Sequence, residues 1–417
     1  MKYLLNNLIY ILIVISLLGC SSDSEVPEEI TPPIPERDNS YVLAVKNGGN
    51  ESFLFDKNGE EVFKWSFDSN LGNDLELLPD GKLIGMFKTT NLSFSFGGFG
   101  GIVKILNLDG SVNWEYEYAS ENYLAHHDVE LLPNGNVLFL AWEKITAADA
   151  QQAGVDTEFD IYPEVLIEVD PNTDEIVWEW HSFDHIIQDR FSDLSTFGAV
   201  GDNPQLIDFN HALRDNGDIM HANGIDYDRS KDVIYVSVNF YSEVWVIDHS
   251  TTKEEASTSV GGNFGKGGNL IYRFGNPGAY NNTGGVRLFY NNHFPNFLEN
   301  DEPGAGNVLI FVNNDKNIAQ SAVYELKMPE TFSLAKNTNN EPEIVWSFTD
   351  TELFYPRISG AVRLKNGNTL ICEGDFGFWE VATGGEVVWK FDANEQGTFW
   401  RAYAYGINSP EVRSLGL

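Results

Sequence analysis

The chain has 417 residues, with 62 Asp and Glu against 26 Lys and Arg and a formal charge of −36 at pH 7. A surface this acidic repels nucleic acid and anionic lipid headgroups, which excludes both as partners of the folded body. Glycine (38 residues) and aromatics (13%) are abundant, and no long helical periodicity runs through the chain, so an all-β fold is expected.

The N-terminus indicates the compartment. Lys2 precedes an apolar run from Leu8 to Leu18 broken only by Ser16. That run is short for a bilayer span and reads as the core of a secretory signal. It ends in Leu17-Leu18-Gly19-Cys20, which resembles a bacterial lipobox, where the small residue admits the signal peptidase and the thiol is acylated. Residues 1–19 are therefore expected to form a lipoprotein signal peptide. Residues 20–40, rich in Ser, Glu and Pro, form a disordered tether beginning at a lipidated Cys20, and residues 41–417 form the folded domain. The expected location is the cell envelope, on the outer membrane at its periplasmic or surface face, with the protein held to the membrane through the lipid anchor. Once Cys20 is acylated only Cys372 remains, so no intrachain disulfide can form. Cys372 lies in an apolar strand pattern and reads as a small buried hydrophobe.

Within the body two patterns recur. One is a tight turn followed by an alternating strand: Leu78-Pro79-Asp80-Gly81, Leu132-Pro133-Asn134-Gly135, and Lys365-Asn366-Gly367 before Thr369-Leu370-Ile371. Asp-Gly and Asn-Gly supply the positive φ angles such hairpins need. The other is a strand with a central aromatic, recurring at Trp65, Trp114, Trp178, Tyr272, Trp346 and Trp389. Six copies of a small unit that cannot bury its apolar face alone must stack, and closing the ring removes the open edges. A six-bladed β-propeller is expected, with a seven-bladed ring as the alternative if the long stretch between Trp178 and Tyr272 hides a degenerate unit. A short helix is expected from Thr146 to Ala153. Phe399 to Tyr405 is expected to close the ring beside the first blade.

Four residues or pairs stand immediately ahead of strand patterns in different repeats: His126-His127, His221, His293 and Arg357. In a propeller, such positions converge at one mouth of the central channel. Three imidazole positions and a guanidinium there suit stabilisation of an anion, or nucleophilic catalysis by histidine.

The run His126-His127-Asp128-Val129-Glu130-Leu131-Leu132-Pro133-Asn134-Gly135-Asn136 is similar to the bacterial arylsulfotransferase family. So are His221-Ala222-Asn223-Gly224-Ile225-Asp226, Asn292-His293-Phe294-Pro295 and Trp400-Arg401-Ala402-Tyr403, in the family's order. The resemblance implies transfer of a sulfuryl group from an aryl sulfate ester to a phenolic acceptor by a ping-pong route through a sulfohistidine. The ester itself is the donor, in place of PAPS, and no cofactor is required. It further implies that His293 is the nucleophile, and that His221 with one or both of His126 and His127 binds the sulfuryl oxygens or protonates the leaving phenolate. One departure concerns the position where the family carries an arginine. Asn239 stands there, so either Arg357 at a neighbouring blade mouth replaces the guanidinium, or the substrate differs, or the activity is weak or absent.

Two other functions fit the same ends and composition. A non-catalytic surface propeller in a polysaccharide-utilisation system would bind sulfated or other glycans on aromatics such as Trp142, Tyr162 and Tyr241. A metal-dependent hydrolase or lactonase would use Asp, Asn and Glu around Ca²⁺, but these residues fall mostly in Asn-Gly and Asp-Gly turns that backbone geometry already explains.

Overall fold

The computed structural model describes residues 35–417. The signal segment, Cys20 and most of the tether lie outside the described residues. The chain forms six antiparallel sheets of four strands each.

Strands β1 (Ser40–Lys46), β2 (Glu51–Phe55) and β3 (Glu61–Ser66) begin the first sheet. The second is β4 (Leu71–Leu77), β5 (Leu83–Lys88), β6 (Gly101–Leu106) and β7 (Val112–Glu117). The third is β8 (Tyr123–Leu131), β9 (Val137–Glu143), β10 (Glu164–Asp170) and β11 (Glu175–His181). The fourth is β12 (Ala222–Asp228), β13 (Val233–Val238), β14 (Glu243–Asp248) and β15 (Tyr272–Phe274). The fifth is β16 (Asn292–Phe297), β17 (Asn307–Asp315), β18 (Gln320–Lys327) and β19 (Glu343–Phe348). The sixth is β20 (Gly360–Arg363), β21 (Thr369–Glu373), β22 (Gly377–Val381) and β23 (Val387–Asp392).

The last strand, β24 (Phe399–Gly406), returns to the first sheet and pairs antiparallel with β1, Tyr405 opposite Tyr41. This closes a six-bladed β-propeller in which β24, β4, β8, β12, β16 and β20 pack around the central channel. The seven-bladed alternative is excluded. The stretch between Trp178 and Tyr272 contains the inner three strands of the fourth blade, and its extra length is two irregular connections carrying short 3₁₀ turns and one helical turn. The helix expected near residue 146 is α1 (Ala147–Gln152), capped by the Thr146 side chain accepting from Asp149 N–H.

The recurring aromatics occupy one place in every blade. Trp65, Trp114, Trp178, Tyr272, Trp346 and Trp389 all lie on the outermost strand. Each donates its polar hydrogen to the next blade. Trp65 Nε1 reaches Leu108 O at 3.1 Å, Trp114 reaches Asp174 at 2.8 Å, Trp178 reaches Thr251 at 3.1 Å, Trp346 reaches Thr383 O at 3.0 Å and Trp389 reaches Lys57 O at 2.8 Å. Tyr272 makes the matching bond to Asn340 O. The repeat thus fastens each blade to its neighbour, using a large apolar ring with one polar handle. Cys372 is buried between the sixth and first blades, in the same core cluster as Phe378 and Phe399.

Candidate active site

The innermost strands run from one cavity to another through a plug of charge. The plug is Arg401 on β24, whose guanidinium pairs with Asp128 on β8 through two bonds of 2.6 and 2.9 Å. It also donates to Asn223 O at 3.0 Å, while Tyr403 donates to Asp74 on β4 at 2.8 Å. The closing strand is therefore tied to three other blades at the channel axis. Beyond the plug, one cavity is lined by Glu76, Glu130, Asp226, Asn296 and Tyr405. Burial there, helped by mutual repulsion, pushes the Glu76 carboxyl up to about 7 and Asp226 to about 8. An anionic substrate gains nothing at that end.

The opposite cavity, of about 360 Å³, is lined by His127, His221, His293, Arg357, Asn239 and Trp400. Register shifts and left-handed backbone angles aim the histidines. The ladders of β8, β12 and β16 shift register at His126/Val129, Ala222/Gly224 and His293/Pro295. His127 and Phe294 take φ of 57° and 51° within the shifts of β8 and β16, while His221 (52°) and Ile358 (51°) take left-handed φ just ahead of β12 and β20. Such bulges bend the strand and re-aim a side chain. The sequence pattern places the histidines ahead of their strands. The structure places His126 and His127 inside β8 and His293 inside β16, while His221 directly precedes β12. The regular alternation that marks a strand in sequence begins only after the bulge.

His293 is 6% exposed, and its Nδ1 is buried without a partner. Burial, reinforced by His221 and Arg401, lowers its pKa to about 3, so the imidazole is neutral at physiological pH. His221 holds Asp218 through its Nδ1 at 2.6 Å and stacks on Phe240 at 4.8 Å. His127 stands edge to face with His221, at a centroid distance of 4.9 Å. Gly98 permits this approach: a Cβ there would fall 2.0 Å from His127 Nε2. Trp400 forms part of the wall, 5.5 Å from the His127 ring and 6.3 Å from His293.

His126 is not on the cavity. It is fully buried, stacked on Trp142 at 3.7 Å, with its two nitrogens bonded to His127 and to Glu164. A Glu164–His126–His127 chain couples the tautomers. A protonated Glu164 donates to His126 Nε2, His126 then donates to His127 Nδ1, and His127 Nε2 carries hydrogen on the Gly98 side. An ionised Glu164 reverses every bond and turns His127 Nε2 into an acceptor. Burial holds the Glu164 carboxyl well above the usual range, which favours the first arrangement.

Arg357 lies on the exposed loop before β20, and Asn313 fixes that loop by donating to Tyr355 O at 2.8 Å and Ile358 O at 2.9 Å. Asn239 spends its amide on backbone, donating to Asn292 O at 3.1 Å immediately before His293. Asp218, Glu164, Phe240 and Trp400 escape a reading of the sequence as site residues. Only Asp218, three residues ahead of His221, leaves a local signal. Trp142 and Tyr241 are fully buried and offer no platform to a glycan; Tyr162 packs on Phe94 and Phe96.

The family profile described as arylsulfotransferase (ASST) matches residues 34–398. The chain belongs to the arylsulfotransferase family. For this arylsulfotransferase-family protein, membership implies in general terms an aryl sulfate donor and a phenolic acceptor. No curated protein sequence matches the chain. Among solved structures, the chain is similar to a putative 6-phosphogluconolactonase from Bacteroides fragilis, with 11% identity, a TM-score of 0.43 and coverage of 89% of this chain and 100% of that one. It is also similar to the WD40 domain of Toxoplasma gondii coronin, with 8% identity, a TM-score of 0.42 and coverage of 88% and 68%.

Proposed function

We propose that the protein transfers a sulfuryl group from an aryl sulfate to a phenol through a sulfohistidine at His293. The observation that carries this reading is a neutral, buried His293 on the same cavity as His127, His221 and Arg357. Because Nδ1 is buried, Nε2 is the nitrogen turned to the cavity. Its lone pair forms the N–S bond as the S–O(aryl) bond breaks, and the departing electron pair leaves on the phenolate oxygen. His127 or His221 supplies a proton to that oxygen. The acceptor phenol then gives its proton back as its oxygen attacks sulfur and the N–S bond breaks, restoring neutral His293. Attack by a neutral imidazole avoids driving one anion against another, and donors placed around the three sulfuryl oxygens lower the barrier, as in phosphoryl transfer.

The test is release of nitrophenol from 4-nitrophenyl sulfate with phenol as acceptor. Wild type should turn over and His293→Ala should not, with ³⁵S label retained on protein only in the wild type. Equal rates for the two proteins overturn the reading. The anchor is tested separately: Cys20→Ala should release the protein from the membrane fraction, and unchanged fractionation rejects lipidation at Cys20.

A further inference from the structure

A second cavity, of about 270 Å³, abuts the histidine cavity and shares Asn239, Phe240 and Asn291 with it. Its cationic lining is Arg214, Arg287 and Lys316, beside a His211 that burial and the charges of Arg273 and Arg287 hold neutral with a pKa lowered to about 4, and no carboxylate lines it among the described residues. In a chain with 62 acidic and 26 basic residues, such a concentration of one sign runs against the whole field. The cations are also uncommitted. Arg190, Arg229, Arg273, Arg363 and Arg401 each pair with a carboxylate. Arg214, Arg287 and Lys316 make no ion pair among the described residues.

Their positions are set by aromatic rings instead. The Arg214 guanidinium lies 3.5 Å over the Phe240 ring, the ring on which His221 stacks. The Arg287 guanidinium lies 3.5 Å over Tyr290 and uses its Nε–H on Phe289 O at 3.0 Å. The Arg287 terminal nitrogens make no hydrogen bond among the described residues. Lys316 stands 5.3 Å over the same tyrosine ring. Guanidinium groups stacked on aromatics keep their donor edge free for a carboxylate or sulfate.

The two cavities divide the imidazoles and the cations between them. His127, His221, His293 and Arg357 line only the first, and Arg214, Arg287 and Lys316 only the second. The second set therefore lies beside the transferred sulfuryl group. We infer that this vestibule binds a second anionic group, a carboxylate or sulfate, carried by the aryl portion of donor and acceptor. The inference rests on the transferase reading, since in a ping-pong route the two aryl groups occupy the same place in turn. A substrate with two negative charges also meets the general acidity of the surface with a larger local gain than a singly charged one.

The test uses sulfonates, which cannot transfer their sulfur. Full-length protein is titrated by calorimetry at low salt with benzenesulfonate and benzene-1,3-disulfonate, and with the 2-sulfonate and 2,6-disulfonate of naphthalene to vary the spacing. At least one disulfonate should bind ~10-fold more tightly than its monosulfonate, the scale expected of a few partly exposed charge pairs. In Arg287→Gln/Lys316→Gln that ratio should fall to within about twofold, and 1 M salt should erase it in the wild type. Ratios near one for both pairs in the wild type, or a ratio preserved in the double variant, overturn the vestibule. Preference for a disulfonate without turnover of 4-nitrophenyl sulfate would retain the anion site and reject the transferase reading. Turnover without preference does the reverse.

Discussion

The Nδ1 atoms of His126 and His127 stand 2.7 Å apart, and Glu164 Oε2 lies 2.7 Å from the far nitrogen of His126. One proton occupies each of these gaps, so the hydrogen that His127 shows the cavity is set by a carboxyl two residues removed along the chain of bonds. Glu164 reaches that position from β10, with its other oxygen accepting from Ala222 N–H at 2.7 Å. Glu164→Gln keeps the Ala222 bond and donates to His126, which freezes His127 as a donor but removes the proton the chain can release. Turnover of 4-nitrophenyl sulfate, whose leaving group needs little help, should stay within a few-fold of wild type. Phenyl sulfate should slow on the order of 10²-fold, the usual scale of general acid catalysis. The measurement is kcat/KM across a series of leaving groups. An equal loss on every ester would assign Glu164 a purely structural role.

Arg357 lines the histidine cavity, and the proposed transfer mechanism gives it the role of the arginine that the family resemblance implies at Asn239. Arg357→Ala should lower kcat/KM by about 10²-fold, the scale for removing a preorganised donor from a developing charge. Adding Asn239→Arg to that variant should recover part of the loss, because a guanidinium then stands on the same cavity wall. No recovery, with the fold intact by circular dichroism, would show that the Asn239 bond to Asn292 O cannot be given up.

The Arg401–Asp128 pair is 1% exposed on both sides and sits on the channel axis. Removing one member of a buried pair leaves an uncompensated charge and costs about 3–5 kcal/mol. Arg401→Met should show that loss in urea unfolding, and Arg401→Met/Asp128→Leu should lose less than the single change. If the double variant is the less stable of the two, the pair contributes more than charge balance.

His249 bridges Glu168 of the third blade and Asp232 of the fourth, at 2.9 and 2.7 Å. Burial alone would lower its pKa from the ordinary 6.5, but the hydrogen bonds and charges of Asp232 and Glu168 outweigh it and raise the value to about 9. A raised value means that the folded state holds the proton more tightly than the unfolded chain. The stabilisation is therefore complete below about 6.5 and disappears as pH rises through about 9. At most about 3 kcal/mol is involved. The Tm difference between wild type and His249→Gln should be largest near pH 6 and shrink by pH 10. A difference that is flat across that range would contradict the bridge.

The local sequence carries the units of this fold, because turn chemistry and strand alternation are properties of neighbouring residues. Asn-Gly and Asp-Gly turns, and an aromatic in each outer strand, point to six blades, and the strand pairing rules out a seventh between Trp178 and Tyr272. Equivalence of blades then brings His127, His221, His293 and Arg357 to one mouth, since closure of a ring maps equal positions onto one cavity. What closure cannot decide is which way a side chain points at a bulge. His126 and His127 are adjacent in sequence, yet the left-handed φ of 57° at His127 turns one ring to the cavity and leaves the other under Trp142. Glu164 and Arg401 show the same limit. Their partners, His126 and Asp128, lie 38 and 273 residues away; the folding of β8 and β10 into one blade brings the first pair together, and closure of the ring brings the second. The basic vestibule is legible nowhere in the sequence, because Arg214, Arg287 and Lys316 come from three connections that a net charge of −36 conceals.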